Sequence, residues 1–186
     1  MKNIYEFCPQ IDSENFLIRK LEEDDIDGLY KIYSDKKAVP FFNSDNCHGD
    51  DFYYKTKERV KEAIGFWKEA YLNGWFVRFS VVNKKDNQVI GTIEAFHRSS
   101  DDYFNKVCLL RLDLLSDYEQ KDCIKEILCA VESPFYDLFN TSSIVTKGFT
   151  NSLNRIQALN ELNYQLIDEP LVGSYDKYFN YYEKKK

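Results

Sequence analysis

The sequence predicts a single α/β (α+β) domain over residues 1–186, with a mixed, mostly antiparallel central sheet and helices on both faces. Two observations predict this class. Hydrophobic residues make up 44% of the chain and aromatic residues 16%, which is typical of a globular protein with a large core. The elements read from hydrophobic periodicity follow the order β-α-α-β-β-β-α-β-α-β-β. An antiparallel meander that leads into a β-α-β-α unit implies the mixed sheet.

The first half of the chain is predicted as a strand followed by two helices. The apolar side chains of the first helix recur at helical spacing, and acidic residues occupy its first turn. The second helix ends at Asn73-Gly74, a typical C-terminal signal. The predicted segments are strand 16–19, helix 22–34, loop 36–51 and helix 52–73.

The second half begins with the meander. Lys84-Lys85-Asp86-Asn87 is a hairpin turn between two strands, and the later helices alternate with strands. The predicted segments are strands 75–82, 88–96 and 106–115, helix 118–132, strand 142–148, helix 151–162, and strands 164–167 and 175–182.

The net charge and the cysteines limit which binding partners and which cellular compartment are expected. The net charge is −6 and the pI is near 5.1, with no basic stripe, so neither nucleic acid nor membrane is expected as a partner. A cationic small molecule or peptide amine fits better. Five cysteines without a CxxC pair, together with no signal peptide and no apolar run of ~20 residues, predict reduced thiols in a cytoplasmic protein.

The junction between the third meander strand and the following helix is the most informative segment. Residues 109–128 predict a buried strand, a turn and an amphipathic helix with almost no linker. Backbone amides at such a helix N-terminus can bind phosphate. A phosphate loop favours glycine, because glycine lets free amides approach the ligand, and this junction contains none.

The order of elements resembles the GNAT family of acetyl-CoA-dependent N-acyltransferases, particularly the branch that acetylates the N-termini of ribosomal proteins. Three phrases support the resemblance: FLIRKLEEDDIDGLYKIY, VIGTIEAF and LNRIQALNELNYQLID. The resemblance covers about residues 16–182. It implies acetyl-CoA as a co-substrate, attacked directly by an amine without a covalent enzyme intermediate.

The resemblance also implies where acetyl-CoA binds. It places Leu114, Leu115 and Ser116 along the pantetheine arm. The pyrophosphate loop of the family, Gln/Arg-x-x-Gly-x-Gly/Ala, falls on Glu119, Gln120, Lys121, Asp122, Cys123 and Ile124. None of the three defining positions matches, since they hold Glu119, Asp122 and Ile124.

A second family motif, Asn-x-x-Ser before a helix that ends Leu-Gly-Phe, is also altered. Ser152 and Arg155 occupy the Asn and Ser positions. Asn151 is one residue out of register and is the candidate substitute for the asparagine.

Two interpretations of the altered phosphate loop remain open. Ser116-Asp117-Tyr118-Glu119 fits a capping box, which predicts that the helix begins early and satisfies its own first amides. In the alternative, backbone amides do not depend on side-chain identity. Non-glycine residues then form a usable loop when their side chains point outward.

Candidate catalytic groups are two carboxylates on predicted strands. Glu94 and Asp113 are candidate general bases for the amine, although a solvated or ion-paired carboxylate on a sheet face is the simpler interpretation of each. Family members often use a tyrosine of the last helix as the acid, and residues 151–162 contain none. Tyr164 and Tyr175 are the remaining candidates.

Acidic residues gather in two loops that are expected to line the acceptor groove and to attract a cationic amine, although solubilising charge is the simpler explanation. They are Asp45, Asp50, Asp51, Asp168 and Glu169. An aromatic set around the second helix is predicted to pack in the core and groove: Tyr53, Tyr54, Phe66, Trp67, Tyr71 and Trp75. No metal site is predicted, because the 47–51 cluster lacks a second half with zinc spacing. His97 is predicted at the surface, and Cys123 as an inert thiol.

These observations support two hypotheses of different classes. The first is an N-acyltransferase that acetylates a small amine or peptide α-amine. The second is a catalytically silent relative that binds a ligand or a partner protein, which the altered loop and the missing tyrosine favour. The aromatic last strand leaves both a monomer and a homodimer open.

Overall fold

The computed structural model describes residues 3–186. Across this part of the chain it contains ten strands and four α-helices. In chain order these are β1 (Ile11–Asp12), β2 (Phe16–Lys20), α1 (Ile26–Tyr33), α2 (Lys57–Leu72), β3 (Val77–Asn83), β4 (Gln88–Arg98), β5 (Val107–Leu114), α3 (Lys121–Leu138), β6 (Ser143–Lys147), α4 (Leu153–Glu161), β7 (Gln165–Leu166), β8 (Leu171–Val172), β9 (Lys177–Tyr178) and β10 (Tyr181–Lys185). None of the helices within residues 3–186 is long and apolar enough to cross a membrane.

The central sheet confirms the predicted fold class. Eight strands follow the order β1-β2-β3-β4-β5-β6-β10-β7, and only β5 and β6 pair in parallel. Successive side chains of a strand point to opposite faces of the sheet. On one face, Phe79 packs with α3 and α4, and on the other, Val82 packs with α1 and α2. The predicted layer of helices on each face is therefore confirmed.

The boundaries of α3 differ from the predicted helix at both ends. The N-cap is Gln120, so the helix begins at Lys121 rather than Tyr118. It then continues through Pro134 to Leu138, past the predicted end at Glu132. An internal proline costs about 3 kcal/mol. The apolar face of α3 continues to the buried Phe135 beyond it, and this burial offsets the cost.

The predicted last strand is also wrong in extent. Residues 175–182 divide into two strands, because Asn180 adopts a left-handed backbone conformation with φ of 67°. Asparagine tolerates this conformation better than most residues. As a result, β9 pairs with β8 in a separate ribbon, and β10 joins the main sheet between β6 and β7.

The two parallel strands separate at one end of the sheet. β5 pairs with β6 only from Cys108 to Leu110, opposite Ile144 to Thr146. β5 then continues to Leu114 without a β6 partner, and the chain passes through one 3-10 turn into α3. The N-terminus of α3 therefore follows directly from the diverging end of β5.

Gly91 of β4 is required by its contact with this diverging end. A Cβ added at Gly91 would lie 2.7 Å from the Asp113 carbonyl oxygen and 2.4 Å from Leu114 Cδ2. We expect Gly91→Ala to lower the free energy of unfolding by about 1–3 kcal/mol because of this overlap. Chemical denaturation would measure the change.

Gly65 of α2 provides the matched control, because a Cβ there meets nothing within 4 Å. We expect Gly65→Ala to raise stability by about 0.5–1 kcal/mol, since alanine favours a helix more than glycine does. Equal effects of the two substitutions would contradict the steric argument.

Candidate active site

A row of three charged side chains crosses neighbouring strands on the face that α1 and α2 cover. The strand register places Arg78 of β3 opposite Glu94 of β4, and Glu94 opposite Arg111 of β5. Arg111 donates to Glu94 Oε1 at 2.7 Å, and Arg78 donates to Oε2. One carboxylate is therefore shared by two guanidinium groups, and we call these three residues the floor.

Asp113 lies in the adjacent cross-strand row, where it pairs with Thr92. Its side chain accepts a hydrogen bond from the Tyr33 hydroxyl at 3.1 Å and lies 3.6 Å from Arg78 Nη1. Burial raises the pKa of Asp113, and Arg78 opposes this shift. Asp113 is 1% exposed, it contacts Arg78 of the floor, and it is not among the residues that line the cavity described next.

A cavity of about 430 Å³ opens above the floor. Its walls are mainly aromatic and come from the loop before α2, from α2 itself, from the turn after α2 and from the sheet: Phe52, Tyr54, Phe66, Trp67, Trp75, Phe76 and Phe96. Four of the six aromatic residues singled out in the sequence line it, and Tyr53 and Tyr71 do not. Such a volume suits a small molecule.

Arg111 is also held from the side of the cavity that carries the 36–51 loop. It donates to Cys47 Sγ at 3.1 Å and to the Asp45 carbonyl oxygen at 3.0 Å. Burial raises the pKa of the Cys47 thiol to about 11, so the thiol is neutral at physiological pH. The anionic partner of Arg111 is therefore Glu94, the carboxylate that it shares with Arg78.

The predicted convergence of acidic loops on one mouth is wrong. Asp45 is bound by Lys147, and Asp50 pairs with Arg59 at 2.7 Å. Asp51 accepts a hydrogen bond from the Tyr53 amide. Asp168 and Glu169 line a separate surface cavity beside Tyr103 and Lys184.

The capping box predicted at residues 116–119 is also wrong. Glu119 does not cap α3, because its carboxylate receives two hydrogen bonds of 2.7 Å from Arg155 and one of 3.2 Å from Ser152. These partners flank the start of α4. Ser152 and Arg155, which replace the family's Asn and Ser, therefore both bind Glu119. This buried contact links the start of α3 to α4.

The first amides of α3 remain available as a result. Within residues 3–186, the N–H groups of Gln120, Lys121 and Asp122 have no hydrogen-bond acceptor. Ile124 is different, because it lies in the core and its amide donates to the Gln120 carbonyl. The hypothesis that α3 begins early and consumes its own anion site is therefore not supported by the geometry.

The residues predicted along the pantetheine arm have partners inside the protein. The Leu115 amide donates to the Ile90 carbonyl at 2.9 Å, and the Ser116 amide donates to Asp35 at 3.0 Å. Leu114 is paired with Gly91 in the sheet. These three residues can line a ligand, but the amides of Leu115 and Ser116 are not free donors.

The remaining loop candidates differ in exposure. Asp122 and Asn151 are exposed, and Lys121 binds Glu161 at 2.9 Å. Cys123 is half-buried, and burial raises the pKa of its thiol, as an inert thiol would show. These four side chains lie around the N-termini of α3 and α4.

Other sequence candidates lie away from the cavity. His97 is exposed, as predicted, with Nδ1 2.9 Å from the Phe139 carbonyl oxygen. Tyr164 is buried in the core beneath α3 and α4, and Tyr175 is 86% exposed, so neither lines the cavity as an acid. The described chain, residues 3–186, contains no group of three His, Cys, Asp or Glu side chains placed to hold a metal.

Arg78 and Arg111 were not among the site residues predicted from the sequence. Both lie among mainly apolar residues, in VRFSVVN and VCLLRLDL. A charged residue among mainly apolar strand residues is a signal that could have identified them. Strand alternation alone would have placed Arg111 and Asp113 on one face.

Comparison with known protein families agrees with the observed fold. The acetyltransferase (GNAT) domain family matches residues 15–158. The chain belongs to the GNAT acetyltransferase family. A search of curated proteins finds no match.

Solved structures share the fold at low sequence identity. Ribosomal-protein-S5-alanine acetyltransferase from Vibrio fischeri is 14% identical with a TM-score of 0.70, covering 95% of this chain and 96% of that one. An acetyltransferase from Salmonella typhimurium that modifies the N-terminal serine of L7/L12 is 14% identical, with a TM-score of 0.68 and coverage of 96% and 99%. RimL, a ribosomal L7/L12 α-N-protein acetyltransferase in complex with coenzyme A, is 12% identical, with a TM-score of 0.71 and coverage of 95% and 98%.

Proposed function

We propose that this protein is an acetyl-CoA-dependent N-acyltransferase that acetylates a small amine or peptide α-amine by direct attack. The observation that carries the proposal is the set of amides at the start of α3 that have no partner among residues 3–186, directly after the strand that diverges from β6. Acetyl-CoA, when bound, supplies an acetyl thioester that an amine can attack. Free thiols at all five cysteines and similarity to enzymes named for ribosomal proteins support a cytoplasmic location.

The residues at the α3 N-terminus fit an anionic group. Free amides and the helix dipole both favour negative charge there. The carboxylate of Glu119, which the sequence places in the phosphate loop, is neutralised by Arg155. Asp122 is the remaining acidic side chain of that turn, and Lys121 Nζ lies 3.8 Å from it. We therefore propose the pyrophosphate site at Gln120, Lys121 and Asp122.

The other candidates would complete this cofactor site. Leu114, Leu115 and Ser116 would line the arm between the diverging strands. Cys123 and Asn151 would flank it, and Ile124 would support the turn from the core, because its side chain is buried and its amide already donates to the Gln120 carbonyl.

Glu94 is the proposed proton acceptor for the attacking amine. It lines the cavity, it is buried, and each of its oxygens receives one hydrogen bond from a guanidinium. A carboxylate oxygen has a second lone pair, with which it can accept a proton from an amine placed in the cavity. Asp113 is proposed as a positioning residue, since it holds Arg78 and Tyr33 behind Glu94.

The cofactor site can be tested by removing one amide donor without removing the helix. Proline is tolerated at the first helical position, and Gln120 before it already has the extended conformation that proline requires (φ −111°, ψ 142°). We expect Lys121→Pro to weaken acetyl-CoA binding about tenfold relative to Lys121→Ala. Calorimetric titration measures both affinities.

The alanine variant is the matched control, because both variants lose the lysine side chain and only proline loses the amide. Equal affinities for acetyl-CoA would rule out an α3 amide site. No binding by the unaltered protein up to millimolar acetyl-CoA would contradict the acyltransferase function itself.

One observation favours the second candidate function, a silent ligand-binding relative. Glu119, from the altered phosphate loop, binds Arg155 and Ser152, from the altered Asn-x-x-Ser motif. The side chains of both altered motifs are therefore bound to each other. The described α4 also contains no tyrosine to act as an acid. Acetyl-CoA binding without acetyl transfer to any amine would support this candidate.

A further inference from the structure

The charge of the cavity does not suit a purely cationic ligand. Among the side chains that line it, Asp50 is paired with Arg59, and the charges of these two residues cancel. The floor holds two guanidinium groups and one carboxylate, and the carboxylate of Asp113, 3.6 Å from Arg78 Nη1, balances the second guanidinium. The neutral thiol of Cys47 adds no anion. The charges around the cavity therefore balance, and a zwitterion, which carries both signs, suits it better than a lone cation.

Both guanidinium groups of the floor also keep an unused donor. The Nε atoms of Arg78 and Arg111 are buried, and within the described chain neither has a hydrogen-bond partner. Buried polar groups without a partner are rare in folded proteins and call for an explanation. A carboxylate is the group that guanidinium binds best, since its two oxygens match the N–H donors.

The walls define the rest of the ligand. Five of the seven wall rings already have one of the protein's own guanidinium groups near them. Arg78 lies 4.3 Å from the Trp67 ring centroid and Arg59 lies 4.5 Å from that of Tyr54, and the rings of Phe52, Phe76 and Phe96 have a guanidinium group 5.7–5.9 Å away. These faces are not available to an external ammonium group. The remaining two rings, Phe66 and Trp75, offer apolar contact to a flat side chain.

We infer that the acceptor is a free aromatic amino acid or a close analogue, whose carboxylate binds the Arg78–Arg111 pair while its amine faces Glu94. This inference rests on the proposed function and makes the substrate class more specific. It distinguishes a free amino acid from a peptide N-terminus, because a peptide has an amide where the amino acid has its carboxylate.

The test compares two ligands that differ only in that group: L-phenylalanine and L-phenylalaninamide. The chain has two tryptophans, and both line the cavity, so intrinsic tryptophan fluorescence reports its occupancy directly. We expect phenylalanine to bind at least tenfold more tightly than the amide, in line with one charge-assisted contact. Phenethylamine, which also lacks the carboxylate, should behave like the amide.

Two variants test whether the floor causes the preference for a carboxylate. Arg111→Gln should bring the ratio of the affinities for phenylalanine and phenylalaninamide close to one. Arg59→Gln should preserve this ratio, because Arg59 is paired with the carboxylate of Asp50 instead of with the floor. If Arg111→Gln does not fold, the ratio in the unaltered protein still decides the question.

Equal or tighter binding of the amide would overturn the inference, as would the absence of both fluorescence change and heat with phenylalanine. Titration of acetyl-CoA alone separates the two proposals. Acetyl-CoA binding with no carboxylate preference refutes the ligand class and leaves the acyltransferase function. A carboxylate preference without acetyl-CoA binding supports the ligand class and refutes the acyltransferase function.

Discussion

Arg78→Met is expected to lower the free energy of unfolding by about 3–5 kcal/mol, because it removes one partner of a buried ion network. Arg78 is 3% exposed, and it faces the carboxylates of Glu94 and Asp113. Burial opposes its charge, but Glu94 attracts it strongly enough to raise the pKa of Arg78 overall. Methionine fills similar space and leaves Asp113 without its nearby cation. Urea denaturation at pH 7 measures the loss.

The pH dependence of this loss has a defined sign. Burial already raises the pKa of Asp113 and Arg78 lowers it, so removal of Arg78 raises that pKa further. A carboxyl group whose folded-state pKa is raised stabilises the protein at low pH and loses that contribution as the pH rises. The deficit of Arg78→Met relative to the unaltered protein should therefore shrink between pH 7 and pH 5.

Arg59→Met is the matched control for this substitution. Arg59 lines the same cavity and also lies over an aromatic ring, but its side chain is 42% exposed and pairs with Asp50 at 2.7 Å. Exposed ion pairs contribute about 0–1 kcal/mol. Similar losses for the two variants, or a deficit that grows as the pH falls, would contradict the account of the floor.

The floor shows which site residues sequence patterns can predict and which they cannot. Glu94 and Asp113 could be selected because the implied reaction needs a general base and both carboxylates lie on predicted strands, whereas no such role pointed to Arg78 and Arg111. The register between strands was needed to see that Arg78, Glu94 and Arg111 form one row. Register depends on where a hairpin begins and on bulges such as the one opposite Val81–Val82, which composition does not specify.

The α3 junction shows the opposite case, in which a correct local rule was outweighed by a distant contact. Ser116 and Glu119 have the spacing of a capping box, and nothing nearby in the sequence argues against it. Arg155 lies 36 positions away from Glu119. Its bidentate contact is stronger than a neutral cap, so the side chain turns towards α4 and the helix begins two residues after Glu119.

The buried contact between α3 and α4 leads to the second prediction with a large effect. Arg155 donates to both oxygens of Glu119 at 2.7 Å, and both side chains are less than 10% exposed. Arg155→Met leaves the Glu119 carboxylate buried without a cation. We expect a loss of about 3–5 kcal/mol in the free energy of unfolding, which corresponds to a fall in Tm of roughly 6–20 °C in a chain of this size.

The double variant Glu119→Gln/Arg155→Met separates loss of charge balance from loss of packing. If the unpaired carboxylate causes the damage, the neutral glutamine should restore most of the stability, because a buried amide costs far less than a buried charge. Both variants would be compared by thermal unfolding followed by circular dichroism. A single variant within about 1 kcal/mol of the unaltered protein, or a double variant no better than the single, would show that Glu119 is solvated rather than held by Arg155. The two helices would then not be joined at this point, and the main structural argument for a silent relative would be lost with the contact.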